Sequence, residues 1–199
     1  MLKTQRAIVA AVLLFYIFQA FGYAHEGGGE AGFSSGILHP VMGFDHVVVM
    51  LGVGFWGYQI GRPSLWILPL VFLAAMLSGA VLGIFGMPLY SVEIVIAFSG
   101  IAMGLFIAMD ERYPLWLSIP VVAIFALFHG YAHGVELPSA AHPLMYITGF
   151  SIMTSLLMAL GIGLANVLKK PSYKGVGTRI VGILITIIGG LFLSNILMS

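Results

Sequence analysis

Two short stretches of this chain, residues 39–46 (HPVMGFDH) and 128–136 (FHGYAHGVE), contain most of its candidate metal ligands. Together they place four histidines, an aspartate and a glutamate in segments that are otherwise strongly apolar. Burying an ionisable side chain in a bilayer costs roughly 2.5 kcal/mol or more near its centre, so such residues usually have a function. Imidazole and carboxylate groups together are typical ligands of divalent transition metals. We therefore expect a transition-metal site.

The second stretch has the spacing of a chelating helix face. His129, His133 and Glu136 occupy positions i, i+4 and i+7, which lie on one side of an α-helix. We expect the two imidazoles to chelate one ion and the carboxylate, one turn further out, to neutralise its charge. The alternative is that both histidines are core residues that bond to backbone carbonyls.

The first stretch is less regular. Pro40 disfavours helical backbone at His39 and suits the first position of a helix, so we expect His39 at a helix mouth in a non-helical conformation. His39 and His46 would lie about 10 Å apart along a regular helix, too far for one ion. Either the segment around Gly43 is unwound, or His39 belongs to an outer capture point and His46, with Asp45, to a deeper site.

Three further residues are candidate ligands. Glu93 has no cationic residue near it in sequence, and we expect it to act at the site or in coupling. His142 precedes a proline, as His39 does, and is a candidate ligand at the mouth of the site, the alternative being an interfacial histidine without a role. His25 would become the N-terminal residue after signal cleavage, where its amine and imidazole could chelate an ion together.

The composition is that of an integral membrane protein. Of the 199 residues, 60% are hydrophobic and 8% are charged, whereas about 25% are charged in ordinary soluble domains. Cysteine is absent, so any metal site must use nitrogen and oxygen ligands. The net charge of +1, without a basic run, argues against a nucleic-acid partner. The 11 methionines are interpreted as apolar packing residues, although Met42 and Met50 could line a path.

The first 24 residues are typical of a secretory signal peptide. A short positive region precedes an apolar run, and residues 22–24 place small side chains at the −3 and −1 positions of a cleavage site. We expect cleavage before His25 and a flexible external tail over residues 25–36. An uncleaved first helix is the alternative.

We predict an all-α fold in which six transmembrane helices follow the signal peptide and form one transport domain over residues 37–199. Each span has about 20 residues, the length that a bilayer requires. The predicted spans are 38–60, 65–86, 89–109, 114–136, 143–168 and 176–197.

Lysine and arginine predict the orientation of these spans. The first, third and fifth loops contain such residues, and the second and fourth contain none. Cytoplasmic loops are enriched in Lys and Arg, so both mature termini are expected outside. In this orientation the six histidines lie on the outer side of the inner (plasma) membrane, and the metal site opens to the periplasm.

The two stretches carry a family resemblance. His39-Pro40-x-x-Gly43-x-Asp45-His46, together with the motif Phe128-His129-Gly130-x-Ala132-His133-Gly134-x-Glu136, resembles the HupE/UreJ family over the whole chain. The resemblance implies secondary transport of nickel or cobalt, commonly in support of hydrogenase, urease or cobalamin. The separate NiCoT permeases carry a similar His-x4-Asp-His element, whereas five residues separate His39 from Asp45 here.

We therefore expect a secondary importer whose substrate is Ni²⁺ or Co²⁺ and which has no prosthetic group. His39, with His25 or His142, would strip the ion of water. The ion would then lie between spans one and four, held by Asp45, His46, His129, His133 and Glu136, with Glu93 nearby. The sequence has no nucleotide-binding motif, and no ATPase subunit is evident, so the expected partners are the metal ion and the bilayer.

Two other classes of protein use similar residues. An intramembrane zinc hydrolase would bind a water on the same ligands, but the chain lacks the HExxH arrangement with its adjacent glutamate base. A haem protein with two axial histidines would leave the carboxylates unexplained.

Overall fold

The computed structural model describes residues 31–138, 142–169 and 175–198, and every regular element within these ranges is an α-helix. The predicted signal peptide and half of the predicted tail, including His25, lie outside the described residues. The helices are α1 (Ala31–Met42), α2 (Phe44–Ile60), α3 (Ser64–Ile84), α4 (Val92–Met109), α5 (Leu115–Val135), α6 (Pro143–Leu168) and α7 (Val176–Met198).

Five of these helices, α3 to α7, are long and apolar enough to cross a membrane. The bent pair of α1 and α2 makes a sixth if it is one span. The all-α prediction is therefore confirmed, and the chain is a multi-pass membrane protein. The bounds of α3 to α7 agree with the predicted spans to within three residues, because turn residues mark most of the breaks. Pro143 at the start of α6 is one such signal, since proline suits the first turn of a helix.

The first predicted span differs from the structure. The helix α1 begins inside the predicted tail and continues through His39 and Pro40, so the prediction of a non-helical His39 is wrong. The backbone breaks instead at Gly43, and α2 leaves α1 at an angle of 82°. Packing accounts for the difference: α1 lies against α6, where Gly36 approaches the backbone of Tyr146 too closely for a Cβ. This contact outweighs the single hydrogen bond that Pro40 removes near the helix end.

The helix α2 is the centre of the bundle and packs against α3, α4, α6 and α7. It contributes several of the most buried side chains, which are Val49, Met50, Val53, Phe55 and Trp56. Large apolar side chains on other helices face outward instead; Leu70 and Leu160, for example, are 65% and 63% exposed. Such a surface suits contact with lipid.

The helices α3 and α5 approach each other closely beside the predicted ligand face. A Cβ on Gly130 would overlap the carbonyl oxygen of Met76, and one on Gly134 would overlap that of Ala80. Glycines four residues apart on one helix face permit such a close approach. This contact fixes the position of the α5 histidines along the axis of α3.

The two ends of the bundle differ in their polar residues. The histidine end contains His39, His46, His129 and His133, which come from α1, the start of α2 and the end of α5. The lysine end contains Gln59, Asp110 and Lys169, which lie at or just beyond the ends of α2, α4 and α6.

Candidate metal centre

The four histidines of the two sequence motifs meet at the histidine end. The ring centre of His133 lies 4.9 Å from that of His39 and 4.8 Å from that of His46. The rings of His46 and His129 are 5.0 Å apart. Three of the rings are buried, with exposures of 9% for His46 and 0% for His129 and His133. Three helices thus bring four imidazoles into one cluster.

The outermost part of this cluster is a group that we call the mouth trio: His39, His133 and Glu136. One ligand atom from each residue lies within 4.8 Å of the others, a spacing that suits a single metal ion. His39 Nε2 is 2.7 Å from Glu136 Oε2. This hydrogen bond lowers the pKa of Glu136 below its ordinary value, so the carboxyl group stays ionised. A negative charge therefore stands at the opening, where a cation would arrive.

A second group, the deep trio, consists of Asp45, His46 and His129. His46 Nδ1 lies 3.0 Å from Asp45 Oδ1, and His129 Nδ1 lies 2.8 Å from the carbonyl oxygen of Phe125. A carbonyl oxygen only accepts, so Nδ1 of His129 carries the hydrogen and Nε2 keeps its lone pair. The carboxylate of Asp45 does the same for His46. Metal-binding histidines are commonly oriented in this way by a carboxylate or a carbonyl.

Within the described residues, several nitrogens of these rings are buried without a hydrogen-bond partner. They are Nε2 of His46, Nε2 of His129 and both ring nitrogens of His133. Buried polar atoms in proteins are nearly always satisfied, so a cluster of such nitrogens calls for a ligand. The bond from His129 to Phe125 is the kind that a core histidine makes, but it leaves these atoms unexplained.

The break at Gly43 is what places Asp45 and His46 at the cluster. A Cβ at this position would lie 2.8 Å from His46 Nδ1 and 2.9 Å from Asp45 Oδ1, so the pair could keep these positions only beside glycine and would otherwise have to shift. Asp45 also lies in the first turn of α2, where the helix dipole stabilises a negative charge. The motif residues between the two histidines thus form the local structure that holds them.

Aromatic residues of α3 and α6 form the walls of the cluster. Phe150 stacks on His133, with ring centres 5.1 Å apart, and Phe72 lies 6.1 Å from His129. The ring of Tyr146 is 5.9 Å from that of His39, and its hydroxyl is buried without a partner. Sequence reasoning missed these residues because aromatic side chains in apolar helices carry no distinguishing signal. Their rings pack against the imidazoles of the cluster.

The first stretch combines a broken backbone with a separation of its two histidines. The chain is broken at Gly43, and His39 and His46 also belong to different groups at different depths. The two histidines of α5 also belong to different groups. His129 contacts His46, whereas His133 contacts both His46 and His39. His133 therefore links the mouth trio to the deep trio.

The remaining candidate ligands lie elsewhere. Glu93 is exposed in the first turn of α4 and, among the described residues, makes no hydrogen bond or ion pair. His142 is exposed at the N-cap of α6, outside the two trios. The roles of Glu93, His142 and His25 stay predictions.

The lysine end contains a polar network for which the sequence offers no distinguishing signal. Lys169 Nζ lies 3.2 Å from Asp110 Oδ1 and donates to the carbonyl oxygen of Gln59 at 3.2 Å. Gln59 Nε2 donates to Asp110 Oδ1 at 2.9 Å and to the carbonyl oxygen of Ile107 at 3.0 Å. These bonds join the ends of three helices.

Comparison with known proteins places these residues in a family. The family model described as "HupE / UreJ protein" matches residues 12–192, a range that includes both histidine stretches. A curated relative, "Protein HupE" of Rhizobium leguminosarum bv. viciae, is 41% identical over 147 residues, which is 74% of this chain and 77% of the relative. No solved structure matches the chain.

Proposed function

The chain belongs to the HupE/UreJ family, and from this premise we propose that it is a secondary importer of Ni²⁺ or Co²⁺ across the inner (plasma) membrane. The family is associated with nickel and cobalt transport. The observation that carries the proposal is the set of buried, unpartnered imidazole nitrogens contributed by His46, His129 and His133. Imidazole nitrogen is a ligand that both metals favour.

The two trios suggest an order of events. Glu136 and His39 are 53% and 30% exposed in their side chains, so they meet the hydrated ion first. His133 shares contacts with both trios and passes the ion inward, where Asp45 supplies a second carboxylate. Two carboxylates balance the charge of one divalent ion. The positive residues of the alternate loops support an orientation in which the histidine end faces the periplasm.

Proton release provides a route to energy coupling. A metal ion binds the neutral form of imidazole and the ionised form of a carboxyl group, so metal binding displaces any protons held there. In this proposal, binding of the ion displaces protons from the trios. Protons return to these residues when the ion leaves toward the cytoplasm.

The rival classes are less well supported. Membership of a transporter-type family favours a carrier over an intramembrane zinc hydrolase. A haem bound by two histidines would leave unexplained why Asp45 and Glu136 each bond to a histidine of the cluster.

Uptake of radiolabelled nickel and cobalt by cells that produce the chain tests the proposal. His46→Asn removes an unpartnered nitrogen from the deep trio and should reduce uptake by at least about tenfold, the lower end of the range for residues that support a metal site. Ser155→Ala is the control, because this exposed hydroxyl bonds only to the carbonyl of Ser151 in its own helix. Absence of uptake by the unaltered chain, or full uptake by His46→Asn, would overturn the proposal.

A further inference from the structure

Beyond the histidines, one threonine and two methionines meet inside the bundle. The hydroxyl of Thr154, in α6, lies 3.4 Å from the sulfur of Met50 in α2 and 3.7 Å from that of Met76 in α3. All three side chains are completely buried. We call these three residues the thioether layer.

The hydroxyl of Thr154 has an unusual direction for a helix. Many other helical hydroxyls bond back to their own backbone, as Thr148 does to Leu144, Ser155 to Ser151 and Thr186 to Gly182. Thr154 instead turns toward two sulfurs, which are weak acceptors. Burying a hydroxyl with poor partners costs free energy, and an apolar side chain at this position would avoid that cost.

The thioether layer extends inward from the metal centre along α2 and α6. Both helices run from the histidine end to the lysine end, and on them Met50 follows His46, and Thr154 follows Phe150, by four residues. Phe150 contacts His133. Four residues of helix correspond to about 6 Å, so Met50 and Thr154 lie one turn further toward the lysine end. Met76 reaches the layer from α3, which runs in the opposite direction.

We propose that the thioether layer is the next binding position of the translocated ion and discriminates against hard cations. This inference rests on the proposed transport function. Thioether sulfur favours softer transition metals, whereas Mg²⁺, Ca²⁺ and Mn²⁺ prefer oxygen ligands. The layer carries no charge, so it holds a divalent ion less tightly than the trios do. Weak intermediate binding suits a transit position, which an ion must also leave.

The test replaces both sulfurs by carbon without a large change of volume. The double variant Met50→Leu with Met76→Leu keeps the core filled, because leucine and methionine exchange with little cost. Met103→Leu is the control, since Met103 is also completely buried but lies on α4 against Gly52. Thr154→Val removes the hydroxyl alone. Each variant is assayed for nickel uptake by cells, for inhibition of that uptake by excess Mn²⁺, and for equilibrium nickel binding by the purified chain.

The double variant should bind nickel as the unaltered chain does, but its uptake should fall by about tenfold and become sensitive to Mn²⁺. Thr154→Val should show a smaller change in the same direction, and Met103→Leu none. Normal uptake and selectivity in the double variant would overturn this inference alone. Loss of nickel binding together with uptake would identify a packing defect and also overturn it. Absence of uptake by the unaltered chain would overturn the transport proposal and the inference with it.

Discussion

The histidine end and the lysine end both place polar side chains inside an apolar bundle, but they satisfy those groups in opposite ways. At the lysine end, Lys169, Asp110 and Gln59 bond to one another and to nearby carbonyls, and of these three residues only the Oε1 atom of Gln59 is buried without a partner. At the histidine end, four buried ring nitrogens have no partner in the part of the chain that the structure describes.

The contrast shows how to distinguish a structural polar cluster from a binding one. Residue types do not decide the matter, since both ends contain a carboxylate beside a basic group. The distinguishing quantity is the number of buried polar atoms that have no hydrogen-bond partner. A nearly saturated network joins helices and has little to offer an ion, whereas a cluster with several unpartnered atoms has a free energy deficit that a ligand can remove. Four variants, taken from the largest expected effect to the smallest, test this contrast.

The largest effect is expected at His133. His133→Asn removes the ring that contacts both His39 and His46, so the mouth trio loses a member and the deep trio loses a neighbour. Nickel affinity of the purified chain, measured by equilibrium titration, should fall by about a hundredfold. His39→Asn affects the mouth trio alone and should cost less. Equal losses in the two variants would contradict the division into two depths.

The next effect is expected at Glu136. Glu136→Gln removes the ionised partner of His39 and should weaken nickel binding by about tenfold, because the charge at the mouth is lost. Glu93→Gln makes the same chemical change at an exposed carboxylate outside the cluster and should leave the affinity unchanged. A comparable loss in Glu93→Gln would show that Glu93 belongs to the binding site.

A smaller effect is expected at Gly43. The added methyl group of Gly43→Ala would press on the pair formed by Asp45 and His46, which must shift to make room. We expect a destabilisation of about 1 kcal/mol in thermal unfolding and weaker nickel binding. Gly163→Ala is the matched control, because a Cβ there meets no atom within 4 Å. Wild-type nickel binding by Gly43→Ala would mean that the break does not set the ligand positions.

The smallest effect is expected at the lysine end. Asp110→Asn weakens the ion pair with Lys169, whose side chain is about a quarter exposed, as is that of Asp110. Partly exposed ion pairs contribute about 1 kcal/mol or less, so the melting temperature should fall slightly. Nickel affinity should not change. A lowered affinity would show that the two ends are coupled and would invalidate the contrast between them.

The sequence predicted α3 to α7 well because long apolar runs between turn residues leave few other structures for a bilayer to accommodate. It did not predict α1. Residues 31–36 belong to a glycine-rich segment that resembles a tail, and their helix depends on contacts with Tyr146 and other residues of α6. Such contacts bring together positions more than a hundred residues apart, and a single sequence does not reveal them.

The site was predictable to a similar degree. Histidines and acidic residues stand out in apolar segments because they are costly there, so the residues of both trios could be identified. Their grouping could not, because it depends on the angle between α1 and α2. The thioether layer was also missed, since burying methionine or threonine in a membrane helix costs little free energy and both resemble ordinary packing residues.

The position of His39 relative to the break has a mechanical consequence. If α1 pivots at Gly43, His39 lies four residues, or about 6 Å, from the pivot along the helix. The N-terminal end of α1 lies about 18 Å from it. A tilt of α1 by about 10° would move that far end by about 3 Å and His39 by only about 1 Å. His39 thus lies close to the pivot, where displacement of the rest of α1 scarcely changes its distances to Glu136 and His133.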